Sequence, residues 1–459
     1  MKESRNLENF VEKKLYECKK KYVDIPKDEG QRYGKHYEAL TSKIFEILRK
    51  ENPELDIIIA EFSLEGSVGD MLKIAKPNEF DLVFKLKFPY YKSIAVTRDP
   101  KIPGNVLLDM TRVLELLKDD PREDFQRIRE LIQGRLVDAQ NFFVVDRLRS
   151  WLQSLFSQAL NRISYRVELV AGVVSHLKYR TCGPAHTIYV YGDYEYSVDY
   201  VPAICLAAEQ NVLPTKQLEC FKRANTSYWE AIPKPLKPLT ETSMISFRSS
   251  FYAVEKILLQ DVHENCRNAI RFMKKFRDVK TNLGNCKSYY IKTLFLWKII
   301  QEPESYWLNP LSFILADMFD DLAENLRRGV ITFFWDPELN MIDALTRDQV
   351  WEMYLCVQRI PRDLRGAEIS RNKWSFFVLR EFSHKKERNV NLKCSSRRKR
   401  NVIKGLKTTS ICKLRNARTN GTWTAGLWTR PGHAYRGPSE TVSTWDTVKD
   451  AAWSEGIVE

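Results

Sequence analysis

Three acidic residues are spaced for phosphate chemistry. Glu79 and Asp81 stand two apart in EFDLVFKLKF, residues 79–88, an apolar run that reads as a strand. Side chains two apart on a strand leave the same face, so the two carboxylates share one side while Phe80, Leu82, Phe84 and Leu86 take the other. Asp199 lies in a second extended run, YSVDYVP, and reaches the same point if the two strands are neighbours. Three hard oxygen donors converging on a cleft suit Mg²⁺ or Mn²⁺. Two such ions can clamp the attacking and leaving oxygens of an in-line phosphoryl or nucleotidyl transfer. Upstream of the acidic pair, Gly66-Ser67 supplies a turn with backbone donors and a hydroxyl for phosphate. An acidic pair alone is an ordinary exposed strand face; the apolar opposite face and the Gly-Ser turn direct it to a polar cleft.

The elements that must position these residues follow from hydrophobic periodicity. Residues 5–24 and 33–50 read as amphipathic helices, the second with Tyr33, Tyr37, Leu40, Ile44, Ile47 and Leu48 on one stripe. Residues 55–62 and 79–88 read as strands; 105–118, 121–134 and 137–162 read as helices punctuated by Pro103 and Pro121. Strands are expected again at 164–174, 186–194 and 195–204, and from about 210 the pattern is helical, as in 251–278 and 288–301. The expected fold class is α+β, with a mixed-sheet lobe over 1–210 and a helical lobe over 211–383 completing a cleft.

The 459 residues carry 73 Lys and Arg against 59 Asp and Glu, a net charge of +14. Residues 384–418 hold +12 of it and 419–459 hold −2, which leaves only +4 for the first 383 residues. Residues 384–459, with the SRRKR cluster at 396–400 and no periodicity, are expected to be a disordered basic tail. SRRKR is either a nuclear-import or nucleic-acid signal or, more commonly, a solvated charge run. A charged N-terminus and the lack of any apolar run near ~18 residues argue against a signal peptide or membrane span, so a cytoplasmic protein without membrane contact is expected. Nine scattered cysteines with no CxxC pair fit reduced thiols.

GSVGDMLKIAKPNEFDLVFKLKFP, residues 66–89, resembles the active-site signature of the cyclic GMP-AMP synthase family of nucleotidyltransferases, which includes the male-abnormal (Mab) developmental proteins and insect cyclic GMP-AMP synthase-like receptors. YSVDYVPAI (196–204), YWEAIPKP (228–235), SFRSSFYAVEKILL (246–259) and SYYIKTLFLW (288–297) extend the resemblance over roughly residues 60–300. It implies a bilobal nucleotidyltransferase with N-terminal spine helices, making a cyclic dinucleotide from ATP and GTP for a downstream receptor of innate immunity. Glu79, Asp81 and Asp199 would be the catalytic metal ligands, with Asp199 helping to deprotonate the attacking ribose hydroxyl. Ser67, Glu255, Lys274, Ser288, Tyr289 and Lys292 would bind ATP, and Asp199, Arg248 and Glu255 would bind GTP. Lys275 is as good a candidate as Lys274. Arg248 and Glu255, seven apart, are expected on one helical face.

Vertebrate members carry a zinc module built on adjacent cysteines, and this chain has no adjacent Cys pair; His263, Cys266 and Cys286 give at most three ligands, so no zinc is expected. Zinc-less insect members include receptors for double-stranded RNA, which makes that the implied activator, with RNA-induced oligomerisation a possible consequence. Lys13, Lys14, Lys19, Lys20, Lys21, Lys35, Lys43, Arg49 and Lys50 are the RNA-contact candidates, or equally the wet side of two amphipathic helices. The competing readings are a catalytically silent Mab-type scaffold, which would have no chemical reason to keep the acids, and a template-free linear oligonucleotide synthase.

Overall fold

The structure is a computed structural model that describes residues 2–236, 243–365 and 381–382, with side chains from residue 10 onward. The expectations for residues 384–459 lie outside the described residues. Ten strands form one sheet: β1 (Ile59–Glu65), β2 (Glu79–Leu86), β3 (Ala95–Arg98), β4 (Asn105–Asp109), β5 (Arg166–Val170), β6 (Val173–Cys182), β7 (Ala185–Tyr191), β8 (Tyr196–Ala207), β9 (Tyr228–Ile232) and β10 (Ser246–Ser250). The path β3-β4-β10-β9-β8-β7-β6-β5 is joined by β1 and β2, with β2 running parallel to β8 and antiparallel to β1. The last two strands come from beyond residue 210, threaded back into the sheet between stretches of helix.

The long strand β8 organises the centre. It pairs with β2 along residues 197–204 on one edge, and on the other with β7 at its start and β9 at its end. Pro202 falls in the gap between β7 and β9, where a residue without an N–H costs no ladder bond on that edge. Alternation then sorts the side chains. Phe80 and Phe84 of β2 and Tyr196 and Tyr200 of β8 go to the main core, where the helix Lys27–Glu51 covers them through Tyr37 stacked on Phe80 at 4.4 Å and Phe45 against Phe84 at 5.6 Å. The opposite face carries Asp81 and Asp199, then a small apolar cluster of Val83, Val201, Ala203 and Ile232 capped by Tyr252.

Local readings needed revision where tertiary pairing overrode pattern. Residues 53–58 are a helix opened by Pro53, and the strand starts only at Ile59. Residues 105–109 are strand β4, and β3 was not anticipated; both are short, β3 pairing with β4 at the sheet edge and β4 continuing the sheet to β10, which comes from far downstream in the chain. The run 164–174 is a hairpin turning at Gly172, whose φ of 75° is the left-handed region that glycine reaches at no steric cost. Arg248 lies on β10 and the helix begins at Tyr252, so Arg248 and Glu255 do not share a helix. The N-terminal helix Lys2–Cys18 continues through a π-turn, Lys19–Val23, and its Glu12 carboxylate accepts from the Leu311 and Ser312 N–H groups, capping the helix Leu311–Arg328 of the C-terminal lobe.

Candidate active site

Parallel register sets Asp81 directly opposite Asp199, and antiparallel register sets Glu65 of β1 opposite Asp81. Partners across a ladder project to the same face, so three carboxylates from three strands lie side by side, each at most 5% exposed. The Thr187 hydroxyl donates to Asp199 Oδ1 at 2.6 Å, orienting that carboxylate from β7. Glu79, two residues before Asp81 and at the start of β2, is more open and accepts from Lys73 Nζ at 3.2 Å. In this conformation, and among the described residues, no three such side chains are gathered closely enough to hold an ion.

Gly66 makes the next part of the site. It follows β1 in a left-handed conformation, φ 59°, and a Cβ there would sit 2.1 Å from Asp81 Oδ2. The turn Gly66–Gly69 thus lets the Asp81 carboxylate lean over its backbone, a cradle that only glycine permits. Hard carboxylate oxygens of Asp81 and Asp199 beside this cradle are the donor type that Mg²⁺ or Mn²⁺ prefers, while Glu79 is turned to Lys73.

Beyond the turn, Ser67, Lys274, Ser288, Tyr289 and Lys292 line one pocket together with Gly66, Asp70, Leu72, Tyr252 and Ile270. Five of the predicted phosphate and nucleotide contacts, drawn from across 225 residues of chain, therefore meet in one place. Ser288 opens the helix Ser288–Gln301 at its positive end, and its buried hydroxyl has no hydrogen-bond partner among the described residues. Lys274 and Lys275 are both buried, so neither stands on a solvated helix face. Only Lys274 lines the pocket; Lys275 lies toward Cys18 of the N-terminal helix, close enough to offset part of the rise that burial imposes on that thiol.

Glu255 is buried and, though not itself part of this lining, holds two side chains that are. Its Oε1 accepts from the Tyr289 hydroxyl at 2.5 Å and from Trp335 Nε1 at 2.7 Å, while its Oε2 pairs with Lys292 Nζ at 2.8 Å. Lys292 Nζ also meets Asp70 Oδ2 at 2.5 Å. Burial works against the Lys292 charge, but Asp70 and Glu255 outweigh it and hold the lysine above its ordinary value. Tyr289 is held by Glu255 and by contact with the Phe333 ring at 6.2 Å. Arg248 lies 5.7 Å from the Phe333 ring and is not among the residues that line the pocket. Burial lowers its pKa to about 10, and two of its guanidinium nitrogens lack hydrogen-bond partners among the described residues.

Several participants were missed in sequence. Thr187 and Glu65 acquire roles only through register with Asp199 and Asp81. Trp335 and Phe333 come from a loop with no motif. Lys85 and Glu230 form a buried pair, 3.8 Å apart, with Glu61 and the Tyr228 hydroxyl also on Lys85. They occupy the cleft face of the sheet behind Tyr252, and the alternation of β2 past Asp81 could have flagged Lys85.

Of the RNA-contact candidates, Lys13, Lys20, Lys21, Lys35, Lys43 and Lys50 are exposed, and Lys14, Lys19 and Arg49 are half-buried. Lys14 and Lys43 pair with Glu17 and Glu46 on their own helices. Among the described residues, no helix is long and apolar enough to cross a membrane, and the seven cysteines found there are free.

Comparison with known proteins places this geometry. Residues 68–261 match the Mab-21 protein nucleotidyltransferase domain and residues 265–359 the Mab-21 protein HhH/H2TH-like domain. Cyclic GMP-AMP synthase-like receptor 1 of Drosophila simulans is 42% identical over 355 residues, 76% of this chain and 86% of that protein. The receptor 1 of Drosophila melanogaster is 42% identical over 355 residues, covering 76% and 89%. A cyclic GMP-AMP synthase-like receptor of Lucilia cuprina is 38% identical over 366 residues, covering 79% and 93%. With its paired aspartates and pocket lysines inside the matched regions and the Gly66-Ser67 turn immediately before them, the chain belongs to the insect cyclic GMP-AMP synthase-like receptors of the Mab-21 nucleotidyltransferase family.

Proposed function

We propose that this protein is a metal-dependent nucleotidyltransferase that joins ATP and GTP into a cyclic dinucleotide when double-stranded RNA is bound. The observation that carries the reading is the side-by-side placement of Asp81 and Asp199 beside a pocket lined by Ser67, Lys274, Ser288 and Lys292. Carboxylates and phosphate-binding cations within one cleft are what transfer of a nucleotidyl group requires. Bound Mg²⁺ or Mn²⁺ held by Glu79, Asp81 and Asp199 would supply charge neutralisation at the phosphate and acidify the attacking hydroxyl. Ser67, Ser288, Lys274 and Lys292 hold the triphosphate of the donor, and the helix start at Ser288 adds its dipole. Asp199, oriented by Thr187, accepts the proton of the acceptor ribose hydroxyl. Tyr289, Glu255 and Arg248 form the base-side wall. Closing the ring needs a second transfer in the same site, which is a matter of rebinding the linear intermediate and demands no second set of acids.

The activator reading rests on Lys13, Lys20, Lys35 and Lys50, which are exposed and in no ion pair among the described residues. The helix that carries Lys35 and Lys50 covers the core side of β2 and β8, so a load on its outer face acts on the strands that hold the aspartates. The test is incubation of purified protein with ATP, GTP, Mn²⁺ or Mg²⁺ and long double-stranded RNA, with mass spectrometry of the product. A cyclic dinucleotide supports the proposal. Linear oligonucleotides alone would favour the template-free synthase, and no product with any nucleic acid would overturn the enzyme reading.

A further inference from the structure

Arg248 ends in a slot built by segments from both matched domains. Gly104, in the turn between β3 and β4, comes so close that a Cβ on it would sit 2.5 Å from Arg248 Nη1, 3.3 Å from Leu339 Cδ2 and 3.4 Å from Phe333 Cδ1. Its φ of 75° is a second reason for glycine at this place. The Phe333 ring centre stands 5.7 Å from the guanidinium carbon. Glycine backbone and aromatic ring together leave the planar group little room to turn.

Asp336 holds Gly104 in that slot. It is 4% exposed and lies in the HhH/H2TH-like match, whereas Gly104 and Arg248 lie in the nucleotidyltransferase match. Its Oδ2 accepts from the Gly104 N–H at 2.5 Å, and its Oδ1 accepts from Arg98 Nη2 at 2.7 Å. Arg98 also meets Glu338 at 2.8 Å, which fastens the Asp336 segment to β3 a second time. The turn is in its own right tied to the strand of Arg248. The Gly104 carbonyl accepts from the Ser249 N–H at 3.0 Å and from the Ser249 hydroxyl at 2.8 Å, and Asp99 accepts from the Ser246 hydroxyl at 2.5 Å. A displacement at Asp336 therefore reaches Arg248 through a short, fully bonded path. Both Asp336 oxygens are engaged by Gly104 and Arg98, while Arg248 Nε and Nη1 are buried without hydrogen-bond partners among the described residues. Burial pulls the Arg248 pKa down and the Asp336 charge acts against that fall, so the carboxylate favours the charged guanidinium yet leaves those two donors open. A guanidinium with two open N–H donors in a fixed plane matches the paired acceptors O6 and N7 of guanine. We propose that Asp336 is a positioning residue for nucleotide selection, which acts through the Gly104 backbone to set the plane in which Arg248 presents its donors to a guanine edge.

The inference rests on reading Arg248 as part of the nucleotide site, and binding of nucleotides that cannot transfer separates the two. Full-length protein with Mg²⁺ and long double-stranded RNA is titrated by calorimetry with the α,β-methylene analogues of GTP and of ATP. Asp336→Asn is expected to weaken the GTP analogue about tenfold and leave the ATP analogue within about twofold, the size of one misdirected charged hydrogen bond. Arg248→Ala is expected to give the same selective loss, and Asp336→Asn added to Arg248→Ala should change nothing further, as for residues that act in series. Gly104→Ala reaches the same guanidinium from the other side and should reproduce the selective loss. It stands in for Asp336→Asn if that variant gives no cooperative thermal melt. Parental affinity of Asp336→Asn for both analogues overturns the positioning role, as does equal weakening of both, which is what a loosened lobe junction gives. A further loss in the Arg248→Ala background overturns it too, because Asp336 then acts by another route. Arg248→Ala with parental affinity for both analogues overturns the assignment of Arg248 to the nucleotide site and the inference with it.

Discussion

Asp81 and Asp199 are direct partners across a parallel strand pair, 118 residues apart in the chain and on one face of the sheet. Like charges at this spacing are tolerated in a buried place only if something cationic joins them or a proton is shared. In the metal-bound state proposed above, a divalent ion held by both carboxylates would supply such a charge.

Asp199→Asn keeps the shape and the Thr187 contact while removing the base. Product formation with ATP, GTP, Mn²⁺ and double-stranded RNA is expected to fall by at least about a hundredfold. Thermal melting should show an unchanged or raised midpoint. Near-parental activity would remove Asp199 from the chemistry.

Gly66→Ala places a methyl group where Asp81 Oδ2 stands and forces a left-handed φ on alanine. The expected cost is about 1–3 kcal/mol of unfolding free energy, read from denaturant titration, together with loss of synthesis. A variant with parental stability and activity would show that the turn is freer than it is drawn.

Ser288→Ala separates a ligand-binding hydroxyl from a structural one. The hydroxyl is buried without a partner, so its removal should leave stability level or slightly improved. The KM for ATP should rise about three- to tenfold with kcat little altered, as loss of one hydrogen bond to phosphate predicts. A destabilised variant with unchanged KM would assign Ser288 to packing.

Glu230 gives the fold a pH dependence. Burial pushes its pKa up to about 8 from 4.5, against the pull of Lys85. A carboxyl raised on folding contributes stability that is whole below its unfolded value and is lost as pH rises toward the folded one. Wild type should therefore lose melting temperature between about pH 4.5 and pH 8. Glu230→Gln should flatten that slope, gaining a few degrees on wild type at pH 8.5 and little at pH 5. A parallel pair of curves would mean that Glu230 stays ionised beside Lys85 throughout.

Charge reversal of Lys13, Lys20, Lys35 and Lys50 together should weaken double-stranded RNA binding and reduce the steepness of its salt dependence. ATP affinity in the absence of RNA should be unchanged, since none of these residues lines the pocket. Equal RNA affinity in parent and variant would move the interface elsewhere.

The sequence by itself determined which side chains share a strand face and where the chain turns. Glu79, Asp81, Asp199 and the Gly66-Ser67 turn were readable because strand alternation and glycine's conformational range are local properties, fixed within a few residues. The long helices at both ends of the chain were readable for the same reason. What only the tertiary structure decided was contact between segments distant in the chain. The register that sets Asp81 against Asp199, the pairing of β10 with 105–107 that joins β4 and β3 to the sheet, and the placement of Lys274 rather than Lys275 in the pocket depend on how segments meet, and no local period encodes that. The same holds for Asp70 on Lys292 and Lys73 on Glu79. Glu79 and Lys292 were site candidates in sequence, but Asp70 and Lys73 carried no signal there, and their pairing with those candidates arises only from tertiary contact.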